Sequence, residues 1–369
     1  MLNHIILTVA VLVGINGLLA LLLVVAERFF ANYGECNITI NEERELRVSG
    51  GSSLLVALKT DKIFLPSACG GRGTCAYCKC KITEGGGPVL PTEESLLSQD
   101  EIADGLRLAC QVKVKSDLAI RLPEELFQIQ EFKARVAGLE DLTYDIKLVK
   151  LHLVDPTDIQ FTPGQYVQLQ NKPYAKVKES VSRAYSIASS ATETKTIDLM
   201  IRLVPEGLVT TWVHHHLKQD EEVVFTGPMG DFRLHEGDGE IIMIAGGSGM
   251  APMVSILDEL ARKKSQRKIT FFFGAVSKKD LFYVDEMKQF QEKIPNFTFV
   301  PALSQPDPED NWKGETGLIT IPVENHIKKI DTAKSQAYLC GSPGMINACI
   351  KVLSSHGITK ERIFFDPFA

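Results

Sequence analysis

Cysteines supply the most specific chemistry of this chain. Four of them fall within twelve residues of a glycine-rich loop: Cys69, Cys75, Cys78 and Cys80. Crowding of this kind favours metal ligation in a reducing compartment over disulfide formation. The interspersed glycines allow a tight loop to adopt positive φ angles and to direct backbone N–H groups toward an anionic iron–sulfur cluster. The loop therefore predicts an iron–sulfur site.

The predicted ligands of a [2Fe–2S] cluster are Cys69, Cys75, Cys78 and, after a long gap, Cys110. Their spacing is that of the plant-type pattern C-x4-C-x2-C…C, with one extra residue in the first gap. A structural zinc site is the alternative, but zinc favours a second C-x2-C pair and Cys110 stands alone. Cys80 lies on a predicted strand that leaves the loop, where alternation turns it away from the cluster or into the core, so we expect no ligand role for it.

A small domain must position these cysteines, and we place it at residues 36–125. Residues 38–40 and 45–48 alternate as a β-hairpin. Ser52 or Ser53 is expected to cap a short helix that follows. We expect a β-grasp-like [2Fe–2S] ferredoxin domain.

Short strands and turns dominate residues 130–236, which predict an antiparallel β-barrel. Within this segment, Arg183-Ala-Tyr185-Ser186 suits a flavin dinucleotide. The Arg183 guanidinium can neutralise a pyrophosphate, the Tyr185 ring can cover the isoalloxazine, and Ser186 can hydrogen-bond to N5. The prediction is an FAD-binding domain with Ser186 as a catalytic residue.

A second motif in the same segment runs from Gly207 to Thr210. Gly207 lets the backbone approach a phosphate. Thr210, near the start of a predicted helix, can cap that helix and donate to the same phosphate. Both are predicted to bind FAD.

Residues 237–369 alternate strands, loops and helices, as a doubly wound α/β sheet requires. An unbroken apolar run at 241–245 predicts a buried parallel strand. It leads into a glycine-rich turn, whose predicted dinucleotide-binding residues are Gly247, Gly249 and Pro252. Cys340 ends a later strand, at the edge where ligands bind in such sheets, and is a catalytic candidate; a buried core cysteine is the alternative.

The choice between NADH and NADPH is open on charge alone. Lys278 and Lys279 could meet a 2′-phosphate, whereas Asp280 and Asp285 oppose one.

At the N-terminus, residues 5–26 are apolar except for Asn16. Their 22 residues are long enough for a helix to cross a hydrocarbon core of about 30 Å. A cleaved signal peptide would have a basic start and a shorter apolar run. We therefore expect residues 1–30 to form a transmembrane anchor. Arg28 is the only basic residue near either end, so the cytoplasmic location of nicotinamide cofactors decides the expected orientation.

The overall charge balance limits the possible partners. The formal net charge is −6, from 46 acidic and 40 basic residues. No basic face is indicated, so a nucleic-acid partner is not expected.

The motifs together resemble the ferredoxin–NADP⁺ reductase superfamily. The resemblance rests on R-x-Y-S at 183–186, G-x-x-T at 207–210, G-x-G-x-x-P at 247–252, C-G-S-P-G-M at 340–345 and a near-terminal aromatic. With the apolar N-terminus and the leading ferredoxin, the chain is similar over its full length to the family of F subunits of Na⁺-translocating NADH:quinone reductases. Further stretches also carry that likeness: Ser67-Ala-Cys69-Gly-Gly71, Glu84-Gly-Gly-Gly87, Leu90-Pro-Thr-Glu93, Arg107-Leu-Ala-Cys-Gln-Val112, Gly249-Met-Ala-Pro-Met253 and Pro308-Glu-Asp-Asn-Trp312.

That resemblance implies FAD in the barrel, NADH as the donor and electron transfer from FAD through the [2Fe–2S] cluster to a membrane partner. It implies that Phe368 stacks on the flavin and yields to nicotinamide, which makes Phe368 a catalytic and FAD-binding candidate; a terminal core plug is the alternative. Residues 171–179 are shorter than the family's usual polar insertion, which bears on the docking of pump partners.

The function expected from the resemblance is that of an NADH-oxidising electron-input subunit. Its partners are the other subunits of a membrane redox complex in a bacterial inner membrane, with quinone as an indirect acceptor, a single-pass anchor and cytoplasmic soluble domains. The alternative function is a membrane-anchored reductase that feeds an oxygenase or another terminal enzyme.

Overall fold

The structure is a computed structural model that describes residues 2–30, 33–67 and 69–368. Ala68, inside the cysteine loop, lies outside the described residues, as do Met1 of the predicted anchor and the two residues that follow it at 31–32. The chain divides into two compact units, Met1–Gln128 and Ile129–Ala369.

The first unit begins with helix α1, Leu2–Phe30. Its described side chains are those of residues 6, 7, 9 and 11–22, and all of them are exposed. Within the part of the chain that the structure describes, no helix has both the length and the apolar character needed to cross a membrane.

The remainder of this unit is a five-stranded sheet with the order β2-β1-β5-β3-β4. Its strands are β1 (Glu35–Ile40), β2 (Arg44–Ser49), β3 (Lys79–Glu84), β4 (Leu106–Leu108) and β5 (Leu118–Arg121). Its helices are α2 (Leu54–Thr60), α3 (Pro91–Glu94) and α4 (Gln99–Ala103). The β1–β2 hairpin is antiparallel, whereas β1 and β5 are parallel. The hairpin and the α2 helix follow the sequence prediction, and Ser53 is the residue that caps α2.

The second unit opens with a six-stranded antiparallel sheet of order β10-β7-β6-β11-β8-β9. Its strands are β6 (Gln130–Asp141), β7 (Ile146–Asp155), β8 (Tyr166–Gln170), β9 (Ser182–Ser186), β10 (Thr196–Arg202) and β11 (Glu222–Met229). Helix α5 (Leu208–His215) lies between β10 and β11 in the chain. A bridge between Ile187 and Leu199 joins the two ends of the sheet into a barrel. Because β9 is a terminal strand of the sheet order, the outer edge of its ordered segment has no strand partner among the described residues.

A six-stranded parallel sheet completes the second unit, with the order β15-β14-β13-β12-β16-β17. Its strands are β12 (Ile241–Gly246), β13 (Ile269–Ala275), β14 (Phe297–Leu303), β15 (Glu315–Thr316), β16 (Gln336–Gly341) and β17 (Ile363–Pro367). The sheet grows in one direction from β12 to β15 and in the other from β16 to β17. The crevice where the strand order reverses therefore lies between β12 and β16, which is where ligands bind in open α/β sheets.

Helices cover both faces of this sheet, as the sequence pattern predicts. They are α6 (Met250–Arg262), α7 (Val284–Lys293), α8 (Thr320–Ile327) and α9 (Pro343–Ser355). Residues of α6 and α7, among them Met253 and Met287, pack in one buried cluster with part of the barrel. Residues of α8 and α9, among them Val323 and Leu353, pack in the cluster on the opposite face. The prediction of a doubly wound domain is borne out by this arrangement.

Candidate functional site

The four predicted cluster ligands are brought together as two pairs of cysteines. The sulfur atoms of Cys69 and Cys75 are 3.4 Å apart. Cys78 and Cys110 form the second pair, joined by a hydrogen bond between their side chains. Two sulfurs on one tetrahedral metal are about 3.8 Å apart when each metal–sulfur bond is about 2.3 Å. The separation within the first pair therefore suits two thiolates that share one metal.

The two thiols of each pair differ in their pKa. The hydrogen bond from Cys75 lowers the pKa of Cys69 to about 3 and raises the pKa of Cys75. In the same way, the hydrogen bond from Cys78 lowers the pKa of Cys110 to about 7 and raises that of Cys78. The hydrogen bond thus favours the thiolate form of Cys69 in the first pair and of Cys110 in the second, and a metal that binds a pair displaces the remaining protons.

Two pairs of cysteines are the donor set that a binuclear cluster requires. Among residues 2–30, 33–67 and 69–368, no group of three or more His, Cys, Asp or Glu side chains is placed to hold one metal ion. A [2Fe–2S] cluster needs two thiolates at each of two irons, which is the arrangement of two cysteine pairs. The residues present thus fit the predicted cluster.

The cysteine loop is shaped by its glycines. Gly70, Gly71 and Gly73 have φ angles of 66°, 86° and 73°, a region that favours glycine. The N–H of Gly71 donates to the Ser67 hydroxyl at 2.9 Å, which closes the first turn of the loop. The sequence prediction of a loop with positive φ angles is confirmed.

A buried ion pair that the sequence analysis did not identify holds the strand leading to Cys110. Arg107 on β4 and Glu93 in α3 are joined at 2.6 Å between Nη2 and Oε2 and at 3.0 Å between Nε and Oε1. Their side chains are only 7% and 0% exposed. Arg107 also donates to the carbonyls of Gly86, Gly87 and Pro88. Three of the stretches quoted for the family resemblance thus meet at one ion pair.

Cys80 belongs to neither of the two cysteine pairs. It is buried in the core of the ferredoxin sheet and pairs across the strands with Arg107. Burial raises the pKa of the Cys80 thiol to about 12. A thiol that resists ionisation is a poor metal ligand, so the geometry agrees with a core role.

In the barrel, the Ser186 hydroxyl is the group that best supports a flavin contact. Ser186 ends β9, and its hydroxyl is buried with no hydrogen-bond partner among the described residues. A buried hydroxyl without a partner costs about 1–3 kcal/mol, so such atoms in proteins commonly mark a binding site. An acceptor on a bound flavin would satisfy it.

Arg183 and Tyr185 project from the other side of the same strand. The register pairs Leu169 with Arg183 and Val167 with Tyr185, whereas Ser186 pairs with Tyr166. Paired residues share a face, so Ser186 faces away from Arg183 and Tyr185. The sequence analysis did not foresee this division. Because β9 lies at the edge of the sheet, a ligand that follows this edge can meet side chains from both faces.

The second predicted flavin motif, from Gly207 to Thr210, is closed by hydrogen bonds of the Thr210 hydroxyl. Gly207 is the N-terminal capping residue of α5, and Thr210 lies in the first turn of the helix rather than at its cap. The Thr210 hydroxyl donates toward the carbonyls of Gly207 and Val204, at 3.2 and 3.3 Å. Thr210 therefore fixes the turn that leads into α5, which is a structural role in addition to the predicted phosphate contact.

The glycine-rich turn after β12 is the predicted dinucleotide site. Gly247–Gly249 form a 3-10 turn that continues into α6, with Pro252 in the first turn of that helix. Gly249 touches the neighbouring strand so closely that an added Cβ would lie 2.3 Å from the Cys340 carbonyl oxygen. Only glycine permits this approach.

Arg202 at the end of β10 is a further candidate that the sequence analysis missed. A Cβ added to Gly247 would lie 3.7 Å from Arg202 Nη1, so the guanidinium lies beside the glycine-rich turn. Asp145 orients it through a bond of 2.7 Å to Nε. A basic residue at the end of a strand was the only signal in the sequence, and that signal is weak.

Cys340 and Phe368 both lie near the carboxyl end of β16. The Phe368 N–H donates to the Gly341 carbonyl at 2.8 Å, and the Phe368 ring packs partly buried against the same cluster that contains Cys340. The Cys340 thiol is 0% exposed, and burial raises its pKa. Both residues thus lie at the reversal point of the sheet, with the thiol in the core.

Domain models match three consecutive parts of the chain. A 2Fe-2S iron-sulfur cluster binding domain matches residues 38–115, an oxidoreductase FAD-binding domain matches residues 133–234, and an oxidoreductase NAD-binding domain matches residues 243–351. The F subunit of the Na⁺-translocating NADH-quinone reductase of Pseudomonas aeruginosa is 39% identical, with 95% of each chain covered. Its counterpart in Neisseria gonorrhoeae is 37% identical over 95% of this chain and 96% of its own.

The chain belongs to the family of these F subunits. That assignment confirms the resemblance inferred from the motifs. The domain matches confirm an oxidoreductase with [2Fe–2S], FAD and a nicotinamide dinucleotide as cofactors, on a multidomain reductase fold.

Two solved structures similar to this member of the family are reductase components. The cytochrome P450 reductase GcoB of Amycolatopsis is 28% identical, with a TM-score of 0.72 over 90% of this chain and 98% of its own. The ferredoxin reductase of carbazole 1,9a-dioxygenase is 25% identical, with a TM-score of 0.69 over 91% and 98%.

Proposed function

We propose that this chain is the NADH-oxidising electron-input subunit of a membrane-bound, Na⁺-translocating NADH:quinone oxidoreductase. The observation that carries the proposal is the alignment with named F subunits over 95% of this chain. An isolated domain match would leave the activity open, whereas a match across all three cofactor domains supports the same order of electron transfer.

We propose that four segments have separate roles. They are an anchor at 1–30, a ferredoxin domain at 36–125, an FAD barrel at 130–236 and an NAD domain at 237–369. A bound flavin supplies the chemistry that accepts two electrons together and releases them one at a time. In the barrel, Arg183, Tyr185, Ser186, Gly207 and Thr210 would hold it. The buried, unpartnered Ser186 hydroxyl supports this assignment.

Cys69, Cys75, Cys78 and Cys110 would hold the [2Fe–2S] cluster that receives the electrons singly. The two cysteine pairs support this assignment because each pair offers the thiolates for one iron.

In the NAD domain, we assign pyrophosphate binding to the turn that contains Gly247 and Gly249, with Pro252 starting the helix behind it. Backbone N–H groups at a helix N-terminus favour an anion, and the Arg202 guanidinium beside the turn adds a positive charge. Phe368, beside the end of β16, would exclude water from the flavin ring until nicotinamide replaces it. Cys340 would line the floor of the nicotinamide site.

We further assign α1 as a single-pass anchor in a bacterial inner membrane, with the soluble domains in the cytoplasm and the other subunits of the complex as partners. The exposed apolar side chains at residues 11–22 support a lipid-facing role. An anchor would also raise the effective concentration of the chain near a membrane partner.

The test is Cys69→Ser in membranes that contain the native complex. We expect the variant to keep fast NADH oxidation with ferricyanide, which takes electrons from the flavin, and to lose quinone reduction, which requires the cluster. Equal loss of both activities would contradict the proposed order. Cys349→Ser, a buried cysteine in the NAD domain, serves as the matched control.

A second candidate function is a reductase that delivers electrons to an oxygenase. It is favoured by the similarity to reductase components of a cytochrome P450 and a dioxygenase system. Purification of the chain with its companions in mild detergent separates the two functions, because an oxygenase and a set of pump subunits are different proteins.

A further inference from the structure

The side-chain amide of Gln111 lies directly beside one of the cluster ligands. Gln111 Nε2 donates to the Cys110 sulfur at 3.5 Å. The backbone N–H of Gly73, in the cysteine loop, also donates to this sulfur. Gln111 and Cys110 are both half-buried, so water screens the bond between them less than it would screen a bond at a fully exposed site. The Cys110 sulfur thus has a side-chain donor in addition to a backbone donor.

Two neighbouring segments fix the direction of this amide. The hydroxyl of Thr92, in α3, donates to Gln111 Oε1 at 3.0 Å. The nitrogen end packs against the cysteine loop, where a Cβ added to Gly73 would lie 2.5 Å from Nε2. A reversed amide would place Oε1 against the Cys110 sulfur, and two acceptors repel each other. The amide nitrogen therefore faces the sulfur.

Helix α3 holds the chain on both sides of Cys110. Glu93 bonds to Arg107 and accepts the N–H of Leu108, which both precede the cysteine. Thr92, the residue before Glu93, bonds to Gln111, which follows the cysteine. A donor that is held in place in this way does not have to reorganise when the charge on the sulfur changes.

A donor at this sulfur favours the reduced form of a bound cluster. Reduction by one electron adds one negative charge, and hydrogen bonds to the sulfurs are among the features that set the reduction potential of an iron–sulfur cluster. The positive end of the Gln111 N–H dipole is attracted more strongly as the sulfur becomes more negative. The bond therefore stabilises the reduced form more than the oxidised form.

We propose that Gln111 raises the reduction potential of the [2Fe–2S] cluster through its hydrogen bond to Cys110, and that Thr92 positions the amide for this bond. The inference rests on the proposed function, in which one electron leaves the reduced flavin and enters the cluster. No covalent bond of the protein changes in that transfer. A higher potential at the acceptor makes the transfer more favourable.

The test is a redox titration of the purified full-length chain in detergent, with dithionite as the reductant and the EPR signal of the reduced cluster as the readout. Gln111→Met keeps the length of the side chain and removes the N–H donor. We expect the equilibrium constant for reduction to fall by about tenfold, which for one electron is a midpoint potential lower by about 59 mV.

Three further variants separate this bond from a general effect of substitution. Thr92→Val removes the hydroxyl that orients the amide, and it should lower the potential in the same direction by a smaller amount. Thr92→Ser keeps the hydroxyl and should leave the potential unchanged. Gln99→Met makes the matched substitution at an exposed residue of α4 and should also leave it unchanged.

Iron and acid-labile sulfide content show whether each variant keeps its cluster. If Gln111→Met keeps its iron and titrates at the potential of the unaltered chain, the role of Gln111 is overturned. An equal shift in Gln99→Met would overturn it too. If Gln111→Met loses the cluster, Thr92→Val decides, and an unchanged potential in that variant would overturn the proposal.

Failure of the proposed function would look different from failure of this inference. An unaltered chain that does not oxidise NADH would contradict the proposed function. The titration would still measure the effect of Gln111 on the cluster, because dithionite reduces it without NADH or flavin.

Discussion

Glu93 and Arg107 form an ion pair, 2.6 Å between Oε2 and Nη2, that is almost completely removed from solvent. Glu93 also accepts the N–H groups of Leu90 and Leu108. This carboxylate therefore connects α3 and the preceding loop to the strand that precedes Cys110. Stability of the ferredoxin fold and position of a cluster ligand are coupled at one residue.

Replacing Glu93 by Ala should strongly destabilise the first unit. It leaves the Arg107 guanidinium buried without its counter-charge, which costs about 3–5 kcal/mol of unfolding free energy. The measurement is denaturant unfolding followed by a signal from the ferredoxin unit. Asp104→Ala, which removes an exposed ion pair with Lys81, is the control and should cost at most about 1 kcal/mol. Equal costs would show that the buried pair has no special importance.

Acid should reduce the contribution of this ion pair. Burial alone would raise the pKa of Glu93, but hydrogen bonds from Arg107, Leu108 and Leu90 outweigh it and hold the pKa below the ordinary value of 4.5. Because the folded-state pKa is lowered, the stabilisation is complete above pH 4.5 and is lost as the pH falls through the folded-state value. The difference in unfolding free energy between the unaltered chain and Glu93→Gln should shrink below pH 4.5. A difference that is constant with pH would contradict this linkage.

Cysteine replacement should separate ligands from bystanders. Cys80→Ala is expected to keep its iron and acid-labile sulfide because Cys80 lies in the core of the ferredoxin sheet and its raised pKa disfavours the thiolate. Cys110→Ala should lose the cluster, because Cys78 would lose its partner. Iron content and the visible absorption of the purified chain measure both effects. Cluster loss in Cys80→Ala, with the fold retained, would show that the ligand set includes Cys80.

Ser186→Ala should change stability and activity in different directions. Removing a buried hydroxyl that has no partner among the described residues should leave the flavin-free chain as stable or more stable, by up to about 1–3 kcal/mol. The same change should lower the rate of NADH oxidation by about 10²-fold, because a hydrogen bond to the reacting flavin is lost. Thermal unfolding without FAD and single-turnover reduction with FAD measure the two effects. Parallel loss of stability and activity would point to a structural role.

The sequence was most informative where chemistry and local backbone conformation coincide. The cysteine spacing, the loop glycines, the Ser53 cap and the apolar strand at 241–245 are local patterns, and the structure contains each of them. Each of these features depends on neighbouring residues alone. Periodicity and cap chemistry are therefore sufficient to predict them.

Other features depend on contacts between distant segments. Glu93 and Arg107 are each ordinary charged residues in the sequence, and only the packing of α3 against β4 makes them a buried pair. The opposite faces of Tyr185 and Ser186 follow from alternation, but their joint access to a ligand requires β9 to be the edge strand. Arg202 reaches the glycine-rich turn from another domain. No local pattern encodes these relationships.

The second cysteine pair also shows what sets the distance between two ligands that are far apart in the sequence. Cys78 directly precedes β3, and Cys110 follows β4 closely. Those two strands pair antiparallel, and Arg107 on β4 is held by Glu93. The spacing of this pair is therefore set by strand register, whereas the spacing of Cys69 and Cys75 is set by a glycine-rich turn. A slip of one residue in the β3–β4 register would move Cys110 without changing the cysteine loop.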